Sequence, residues 1–196
     1  MNKTRYLTIS AMFAVISIVL MFFEFPLPFL PSFLKLDLSD VPVLIGAFVL
    51  GPFAAVAITL VKDLIHLFFA TTTAGVGELA DFIITSSFVL TAGTIYKFSR
   101  NNFKAFISCV VAIIVMIIFG AVSNYYLILP FYEKFMPLKQ IFAMCAAVNP
   151  LIIDTKTYII YAVMPFNLLK GGIVAIVTLL IYKKLTVVVS KQLNKS

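Results

Sequence analysis

The segment MPFNLLKGG places an amide and an ammonium group in one of the most apolar parts of the chain. Asn167 and Lys170 are three residues apart, so a helix brings them onto one face. The amide offers a donor and an acceptor, and the ammonium offers three donors. Pro165 precedes the pair and can kink or start a helix, while the two glycines after the pair allow close approach of a backbone or a ligand. Hydrogen bonding between helices is the plainer explanation, but the combination favours a ligand pocket.

A second polar group occurs in the apolar segment KDLIHLFF. Lys62 and His66 are four residues apart and share a helix face, and Asp63 lies beside Lys62. An ionisable side chain in a membrane helix costs about 2.5–3.5 kcal/mol or more when it faces lipid. We therefore expect these side chains to face the protein interior, either as an ion pair that fixes helix packing or as the polar wall of a cavity.

Further polar and aromatic residues are expected near the same site. Glu78 lies in GVGEL, Asn124 lies in SNYY, and Asp40 ends a long loop that contains three prolines. The predicted substrate-binding set is therefore Asn167, Lys170, Asn124, Glu78, Asp40 and Lys62. A flat ring is expected to stack among aromatic residues around Phe29, Phe33, Tyr125 and Tyr126.

Membrane helices must position these groups. The chain has 196 residues, of which 62% are hydrophobic and 12% charged, and its mean hydropathy is +1.11. An ordinary soluble domain is about 45–50% apolar and about 25% charged, so the solvent of this chain must be lipid. Each crossing takes roughly 20 residues, which allows six helices. We expect one all-α membrane domain over 1–196 with helices near 6–23, 41–50, 53–70, 78–97, 105–129 and 158–184, an outer loop 24–40 and an outer connection 130–157.

The distribution of charge predicts the orientation. If six helices begin in the cytoplasm, the inside segments hold only basic residues, and every acid outside the helices lies on the other side. This agrees with the positive-inside rule and places both termini in the cytoplasm of a bacterial cell, in a multi-pass protein of its plasma membrane. Cytoplasmic lipid headgroups, rather than nucleic acid, then account for the net charge of +7. The inside basic residues are Lys3, Arg5, Lys97, Arg100, Lys104, Lys183, Lys184, Lys191 and Lys195.

Motifs for catalysis and metal binding are missing from the sequence. It contains no GxxxxGK[ST], no HExxH and no CxxC, and GVGELAD lacks the third glycine and the preceding strand of a dinucleotide motif. The one histidine, His66, has no exposed serine elbow with which to form a triad. Cys109 and Cys145 lie among apolar neighbours and are expected to be packing residues. We predict neither an enzyme nor a resident cofactor.

The sequence resembles one family of vitamin transporters over essentially its whole length. The riboflavin-specific substrate-binding (S) components of energy-coupling factor (ECF) transporters are similar in five stretches: FPLPFLPSFLKLDLSDVPVLIGAFVLGP, KDLIHLFF, GVGELADF, NYYLILPFY and MPFNLLKG. The resemblance implies a six-helix bundle that captures riboflavin at the outer face, beneath the loop Pro26–Asp40. It also implies partners, namely a transmembrane T component and two cytoplasmic ATPases. ATP hydrolysis by these partners would explain the missing P-loop.

Residue roles carry over only where the motifs match. Asn167 and Lys170 match polar residues that bind the isoalloxazine ring in this family, Asn124 is expected to be a second amide, and Glu78 with the adjacent Gly/Thr loop is expected to take the ribityl hydroxyls. Members commonly have Asn where this chain has Asp63 and Asp81, so ligand contacts there are in doubt. In place of the family's docking pattern Ala-x-x-x-Ala, the first helix has Ser10, Ala11 and Ala14, which we expect to form the docking surface for the T component; close packing within the bundle is the alternative.

Two alternatives remain open from the sequence. One is an S component for another vitamin or flavin, such as thiamin, roseoflavin or FMN. FMN would need a cation near its phosphate, which Lys35 or Lys62 could supply. The other is a small membrane enzyme that uses Asp37 and Asp40 at the level of the lipid headgroups.

Overall fold

The computed structural model describes residues 3–98 and 101–193, with side chains for 3–98, 101 and 103–182. Within these residues, five helical spans are long and apolar enough to cross a membrane: Lys3–Met21, Pro52–Phe69, Val76–Phe98, Phe103–Glu133 and Thr155–Tyr182. The chain is a membrane protein. Some of the basic residues that predict the orientation lie outside the described residues. These are Arg100 and Lys195, and only the backbone is described for Lys183, Lys184 and Lys191.

The helices follow one another as α1 (Lys3–Met21), α2 (Asp40–Val49), α3 (Pro52–Phe69), α4 (Val76–Phe98), α5 (Asn102–Ser123), α6 (Leu129–Glu133), α7 (Leu138–Val148), α8 (Thr155–Tyr158) and α9 (Met164–Leu193). Two π-helical segments interrupt the last two spans: π1 (Asn124–Ile128) joins α5 to α6, and π2 (Ile159–Val163) joins α8 to α9. In the bundle, α4 packs against α3 and α5, and α9 packs against α5 and α2.

α2 is a short helix enclosed by the longer ones. Its ten residues extend about 15 Å, roughly half of a hydrocarbon core of about 30 Å. Every residue from Asp40 to Phe48 is buried, because α1, α3, α4 and α9 all pack against it. The chain reverses after α2 at Gly51, whose φ of 103° is readily adopted only by glycine. Pro52 then starts α3, where its fixed φ suits the first helical turn.

The loop before α2 contains a small antiparallel ladder that the expected all-α class leaves out. β1 (Phe25–Pro26) pairs with β2 (Lys35–Leu36), with Phe25 opposite Leu36. The ladder closes residues 27–34 into a compact excursion, and Leu30 within it is 4% exposed. The loop is therefore held by its own backbone pairing and by an apolar anchor.

Each π segment ends just before a proline, Pro130 or Pro165. At the end of each segment an N–H group donates to the carbonyl five residues earlier. A proline in a regular α-helix collides with the carbonyl four residues before it, and the wider π turn displaces that carbonyl. The sequence predicts that this helix ends before Pro130. Because the π turn accommodates the proline, the helix continues to Glu133.

Two buried apolar clusters hold the described bundle together. The larger lies among the long helices and α2 and includes Phe13, Leu44 and Phe88. The smaller contains Leu30 and Leu129, and it lies where the loop before α2 meets α6 and α7. We call the end of the bundle that carries residues 22–39, 70–75 and 134–154 the pocket end. The two cysteines are buried and free, Cys109 in the larger cluster and Cys145 in the smaller.

Candidate functional site

A cavity of about 90 Å³ lies at the pocket end, between α4, α5, α9 and the two π segments. We call it the amide cavity. It is lined by three residues of the predicted site, Asn124, Asn167 and Lys170. Its aromatic walls are Phe33, Tyr132, Tyr158 and Phe166.

The two amides reach the amide cavity from different helical spans. Asn124 is 5% exposed and Asn167 is 2% exposed. Asn124 Nδ2 donates to Gly120 O over 2.9 Å, and Asn167 Nδ2 donates to Val163 O over the same distance. The described residues provide no partner for either amide oxygen or for the second hydrogen of either nitrogen. Each amide therefore still offers an acceptor and a donor to a ligand.

The segment π2 helps to aim Asn167. A π turn holds one extra residue, which rotates the residues after it by about 100° relative to a continuous α-helix. Asn124 opens π1, and Asn167 lies four residues after the end of π2. Such wide turns inside helices occur often at functional sites.

Glycines let α5 and α9 approach closely beside the amides. A Cβ on Gly120 would lie 2.5 Å from Asn167 Nδ2, so this glycine makes room for the amide. A Cβ on Gly171 would lie 3.1 Å from two side chains of α5, whereas a Cβ on Gly172 would meet nothing within 4 Å. Gly171 thus serves helix packing, and the residue that clears space for Asn167 is Gly120.

Lys170 is held by three carboxylates. Its Nζ lies 2.7 Å from Asp81 Oδ1, 3.1 Å from Asp40 Oδ2 and 3.2 Å from Asp37 Oδ2. Lys170 is 3% exposed and has three N–H groups. The contacts with Asp81 and Asp37 are hydrogen bonds and the contact with Asp40 is an ion pair, so the ammonium is held by three acids and reaches a ligand by sharing or exchanging one of these contacts.

Lys62 and Asp40 belong to the same buried group of charges. Lys62 is fully buried, and its Nζ donates to Asp40 Oδ1 at 2.8 Å, Asp81 Oδ2 at 2.7 Å and Ser39 Oγ at 3.0 Å. Neither Lys62 nor Asp40 is among the residues that line the amide cavity. Of the two possibilities for Lys62, the ion pair that fixes packing is the one observed. We call Asp37, Asp40, Asp63, Asp81, Lys62 and Lys170 the ion cluster.

The ion cluster ties the loop before α2 to the bundle through Asp37. Burial raises the pKa of the Asp37 carboxyl, but the attraction of Lys170 and Lys62 outweighs burial and holds that pKa below its ordinary value. Its Oδ1 also accepts a hydrogen bond from Ser39 N over 2.7 Å. Asp37 is therefore a charged anchor between the loop and α9.

Glu78 lines a second space of about 70 Å³, which we call the acidic chamber. Glu78 Oε1 lies 2.8 Å from His66 Nδ1, and its Oε2 accepts from the hydroxyls of Thr71 at 3.1 Å and Thr73 at 3.3 Å. The acidic chamber adjoins the amide cavity, since Phe33, Gly77 and Asp81 line both.

A third space of about 350 Å³ lies farther out, against α6 and α7. We call it the outer cavity. Its wall includes Phe33 and Tyr132, which also line the amide cavity. Phe33 borders the amide cavity, the acidic chamber and the outer cavity alike. Phe33 belongs to the loop before α2, so this loop forms part of the wall of all three spaces.

The three small residues of α1 differ in how far they are exposed on the surface of the bundle. Ala11 is exposed and Ser10 is half-buried, with its hydroxyl donating to Tyr6 O over 2.9 Å. Ala14 is 6% exposed and belongs to the larger apolar cluster. Close packing therefore accounts for Ala14, and Ala11 is the member of the expected docking patch that remains on the surface.

Several residues at the site escaped the sequence analysis. The sequence marked Asp81 only as a departure from a family pattern. Its position one helical turn after Glu78 was a signal that both side chains lie on the same face of α4. Phe33 was expected near a ring, whereas Phe29, Tyr125 and Tyr126 are exposed. The aromatic walls come instead from Tyr132, Tyr158 and Phe166. Tyr158 and Phe166 are eight residues apart, and this spacing places them on one helix face.

Comparison with known proteins identifies the fold and family. Residues 5–182 match the family model described as "ECF transporter, substrate-specific component". The chain belongs to this family. Its structure is also similar to one reported as "Structure and mechanism of the S component of a bacterial ECF transporter", with a TM-score of 0.76 and 33% identity over 99% of this chain and 100% of that one.

Two relatives of this S component cover nearly its whole length. The riboflavin transporter RibU of Staphylococcus aureus (strain TCH60) is 39% identical over 184 residues, which is 94% of this chain and 90% of that protein. The riboflavin transporter FmnP of Bacillus subtilis (strain 168) is 32% identical over 187 residues, or 93% of each chain. The family resemblance seen in the sequence is confirmed. The protein is a transporter component and not an enzyme.

Proposed function

We propose that this S component binds riboflavin in the amide cavity and serves as the substrate-binding subunit of an ECF importer. The observation that carries the proposal is the pair of buried amides, Asn124 and Asn167, on two sides of one aromatic-walled cavity. The names of the relatives from S. aureus and B. subtilis support riboflavin as the ligand.

The chemistry of the flavin fits these groups. The pyrimidine edge of isoalloxazine presents a carbonyl, an N–H and a second carbonyl. An amide pairs with an N–H and the adjacent carbonyl, because it offers one acceptor and one donor side by side. Two amides therefore cover the edge, and the flat ring system stacks against the walls formed by Tyr158, Phe166 and Phe33.

Binding requires the loop before α2 to move. Ligand sites for molecules of this size are roughly 300–1,000 Å³, whereas the amide cavity holds about 90 Å³. A shift of Phe33 joins it to the acidic chamber and the outer cavity, and this makes room for the whole vitamin. Lys170 then acts in two ways, by ordering the ion cluster and by donating to a flavin carbonyl once a carboxylate releases one of its N–H groups.

The arrangement in the cell follows from the family and the charge pattern. We propose six helices, counting the short α2, with both termini in the cytoplasm of a bacterial cell and the pocket end outside. The partners are a transmembrane T component and two ATPases. The ATPases supply the energy by hydrolysing ATP, for which this chain has no motif. The exposed face of α1 around Ala11 is the proposed docking surface.

The residues that would support FMN binding or an enzyme activity are already paired with other side chains. Lys62 is enclosed by carboxylates, and Lys35 is paired with Glu24 and donates to Thr72, so neither is a free cation for the phosphate of FMN. The acids suggested for an enzyme, Asp37 and Asp40, are both paired with Lys170.

The test is a riboflavin titration of the purified protein in detergent, followed by quenching of riboflavin fluorescence. We expect saturable binding, and we expect Asn167→Ala to weaken it by about 1–3 kcal/mol, because a buried polar group of the ligand loses its partner. Gly172→Ala is the matched control on the same helix, since its Cβ would meet nothing within 4 Å. Wild-type protein that quenches no riboflavin fluorescence contradicts the proposal.

A further inference from the structure

Asp63 in α3 is a buried carboxyl group to which no described residue donates a hydrogen bond. Its side chain is 4% exposed, and both of its oxygens lack a hydrogen-bond partner among the described residues. The cation beside it is Lys62, whose Nζ lies 3.6 Å from Asp63 Oδ1, beyond the usual range of an N–H···O hydrogen bond. Asp63 is not among the residues that line the amide cavity, the acidic chamber or the outer cavity, so the proposed riboflavin site leaves this side chain unexplained.

Lys62 has no N–H group left for Asp63. An ammonium group carries three N–H donors. Those of Lys62 are taken by Asp40 Oδ1, Asp81 Oδ2 and Ser39 Oγ, at 2.8, 2.7 and 3.0 Å. The distance of 3.6 Å from Lys62 to Asp63 is therefore the result of competition by three better-placed acceptors.

The ion cluster contains more acids than bases. Its four aspartates and two lysines would carry a net charge of −2 if every group were ionised. Lys62 and Lys170 are directed at the other three acids, namely Asp37, Asp40 and Asp81. An ionised carboxylate that is buried without a donor is so costly that the group takes up a proton instead. Asp63 is the member of the cluster in this position.

The groups that face Asp63 from the neighbouring helices do not supply a second positive charge. Asp40 of α2 and Asp81 of α4 act on Asp63 with negative charge, and Lys62 of α3 is the cation that opposes them. α1 also packs against α3, but it has no ionisable side chain after Tyr6. Asp81 lies within hydrogen-bond reach of the Asp63 carboxyl. Two carboxyl groups so close together cannot both ionise readily, and a shared proton relieves their repulsion.

We infer that Asp63 is a proton-binding site, which holds a proton at neutral pH and donates it to a carboxylate oxygen of Asp81. A protonated carboxyl group has an O–H donor, so the proton gives Asp63 a partner and lowers the net negative charge of the ion cluster from −2 to −1. The bond joins α3 to α4 inside the bundle. Asp81 also lines the amide cavity, so the proton adjusts the charge beside the proposed ligand site.

The first test compares thermal unfolding of two asparagine variants with that of wild type, in detergent at neutral pH. Asparagine has nearly the shape of a neutral aspartic acid, so Asp63→Asn should unfold at or above the wild-type temperature. Asp40→Asn is the matched control within the ion cluster, because it removes an ionised acid that is paired with both lysines. It should unfold about 6 °C or more below wild type. An equal loss in Asp63→Asn would show that Asp63 is ionised and would overturn the inference.

The second test measures how the difference between wild type and Asp63→Asn depends on pH. An aspartate in the unfolded chain loses its proton above a pKa of about 3.9, whereas the folded protein keeps the proton on Asp63. The folded state then binds one proton more, so wild type loses stability relative to Asp63→Asn as the pH rises from about 5 to about 7. The expected change is about 3 °C or more per pH unit. His66, one turn along α3, and its partner Glu78 are present in both proteins and cancel in the difference. A difference that stays constant over this range contradicts the inference.

Infrared spectroscopy detects the proton directly. A protonated carboxyl group has a C=O stretching band that an ionised carboxylate lacks, and the spectrum of wild type minus that of Asp63→Asn should contain this band at neutral pH. Asp154→Asn is the control, because Asp154 is exposed and its replacement should leave the band in place. A difference spectrum without a carboxyl band overturns the inference. None of the three tests uses a ligand, so wild-type protein that binds no riboflavin would overturn the proposed function alone.

Discussion

Asn124 and Asn167 differ from Lys170 in what they can offer a ligand. Each amide donates one hydrogen to its own helix and keeps an oxygen and a second hydrogen for a ligand, whereas the ammonium of Lys170 has three carboxylates within 3.2 Å. Amide side chains in an apolar segment were visible in the sequence, and the structure brings both to one cavity. The partnership of Lys170 with Asp81 links residues 89 positions apart, and no local pattern reveals such a contact.

Replacing Lys170 should affect stability as well as affinity. Lys170→Met leaves Asp37, Asp40 and Asp81 with one buried cation fewer, and breaking a buried ion pair in this way costs about 3–5 kcal/mol. We expect a lower thermal unfolding temperature in detergent together with weaker riboflavin binding. Lys156→Met is the control, because Lys156 is exposed. If Lys170→Met unfolds at the same temperature as wild type, the ion cluster does not depend on this lysine.

At the scale of elements, π2 determines how Asn167 is presented, and π1 begins at Asn124. Each is followed by a proline within two residues of its end, and each lies beside the amide that its span contributes. Apolar runs and prolines are local signals, so the sequence supplies a direct basis for predicting helices. The predicted last helix passes through Pro165, but the predicted fifth helix ends before Pro130 and in the structure it continues to Glu133, since whether a proline ends a helix or is absorbed by a π turn depends on tertiary packing. The short ladder in the loop before α2 escaped for the same reason.

Removal of the proline after π2 tests the role of the wide turn. Pro165→Ala restores an N–H and removes the clash that favours π2, so the helix can close to regular α geometry and turn Asn167 away by about 100°. We expect helical content by circular dichroism to be retained and riboflavin binding to weaken by about 1–3 kcal/mol, the cost of an unpaired buried group. Pro150→Ala, at an exposed position in the connection before α8, should bind riboflavin as wild type does. Equal affinities in the two variants would mean that π2 does not position Asn167.

At the scale of the molecule, the bundle carries two surfaces to which we assign different tasks. The pocket end holds the amide cavity, the acidic chamber and the outer cavity, whereas α1 carries an apolar face with exposed residues such as Leu7, Val15 and Val19. Composition alone predicted a membrane protein, because this excess of apolar residues over charges leaves no other solvent. The docking patch stays a prediction, because spacing along one helix does not reveal which face the bundle covers. Ala14 proved to be a core residue, and Ala11 remained on the surface.

A bulky residue on the exposed face of α1 should separate binding from transport. Ala11→Phe adds an apolar ring at the proposed surface for the T component, where small residues allow close helix approach. We expect unchanged riboflavin affinity in detergent and strongly reduced uptake of labelled riboflavin by cells that express the whole transporter. Ala57→Phe is the matched control, since Ala57 is exposed on α3, and it should retain uptake. Normal uptake by Ala11→Phe would remove Ala11 from the docking surface.

The central claim is that riboflavin lies with its pyrimidine edge between Asn124 and Asn167. The most direct test is an experimental structure of the protein with riboflavin bound. We expect the N–H and carbonyl groups of the ring edge within hydrogen-bond distance of both amides, Phe33 displaced from its present position, and the ribityl chain directed into the acidic chamber toward Glu78. A ring bound in the outer cavity with no contact to either amide would contradict the claim.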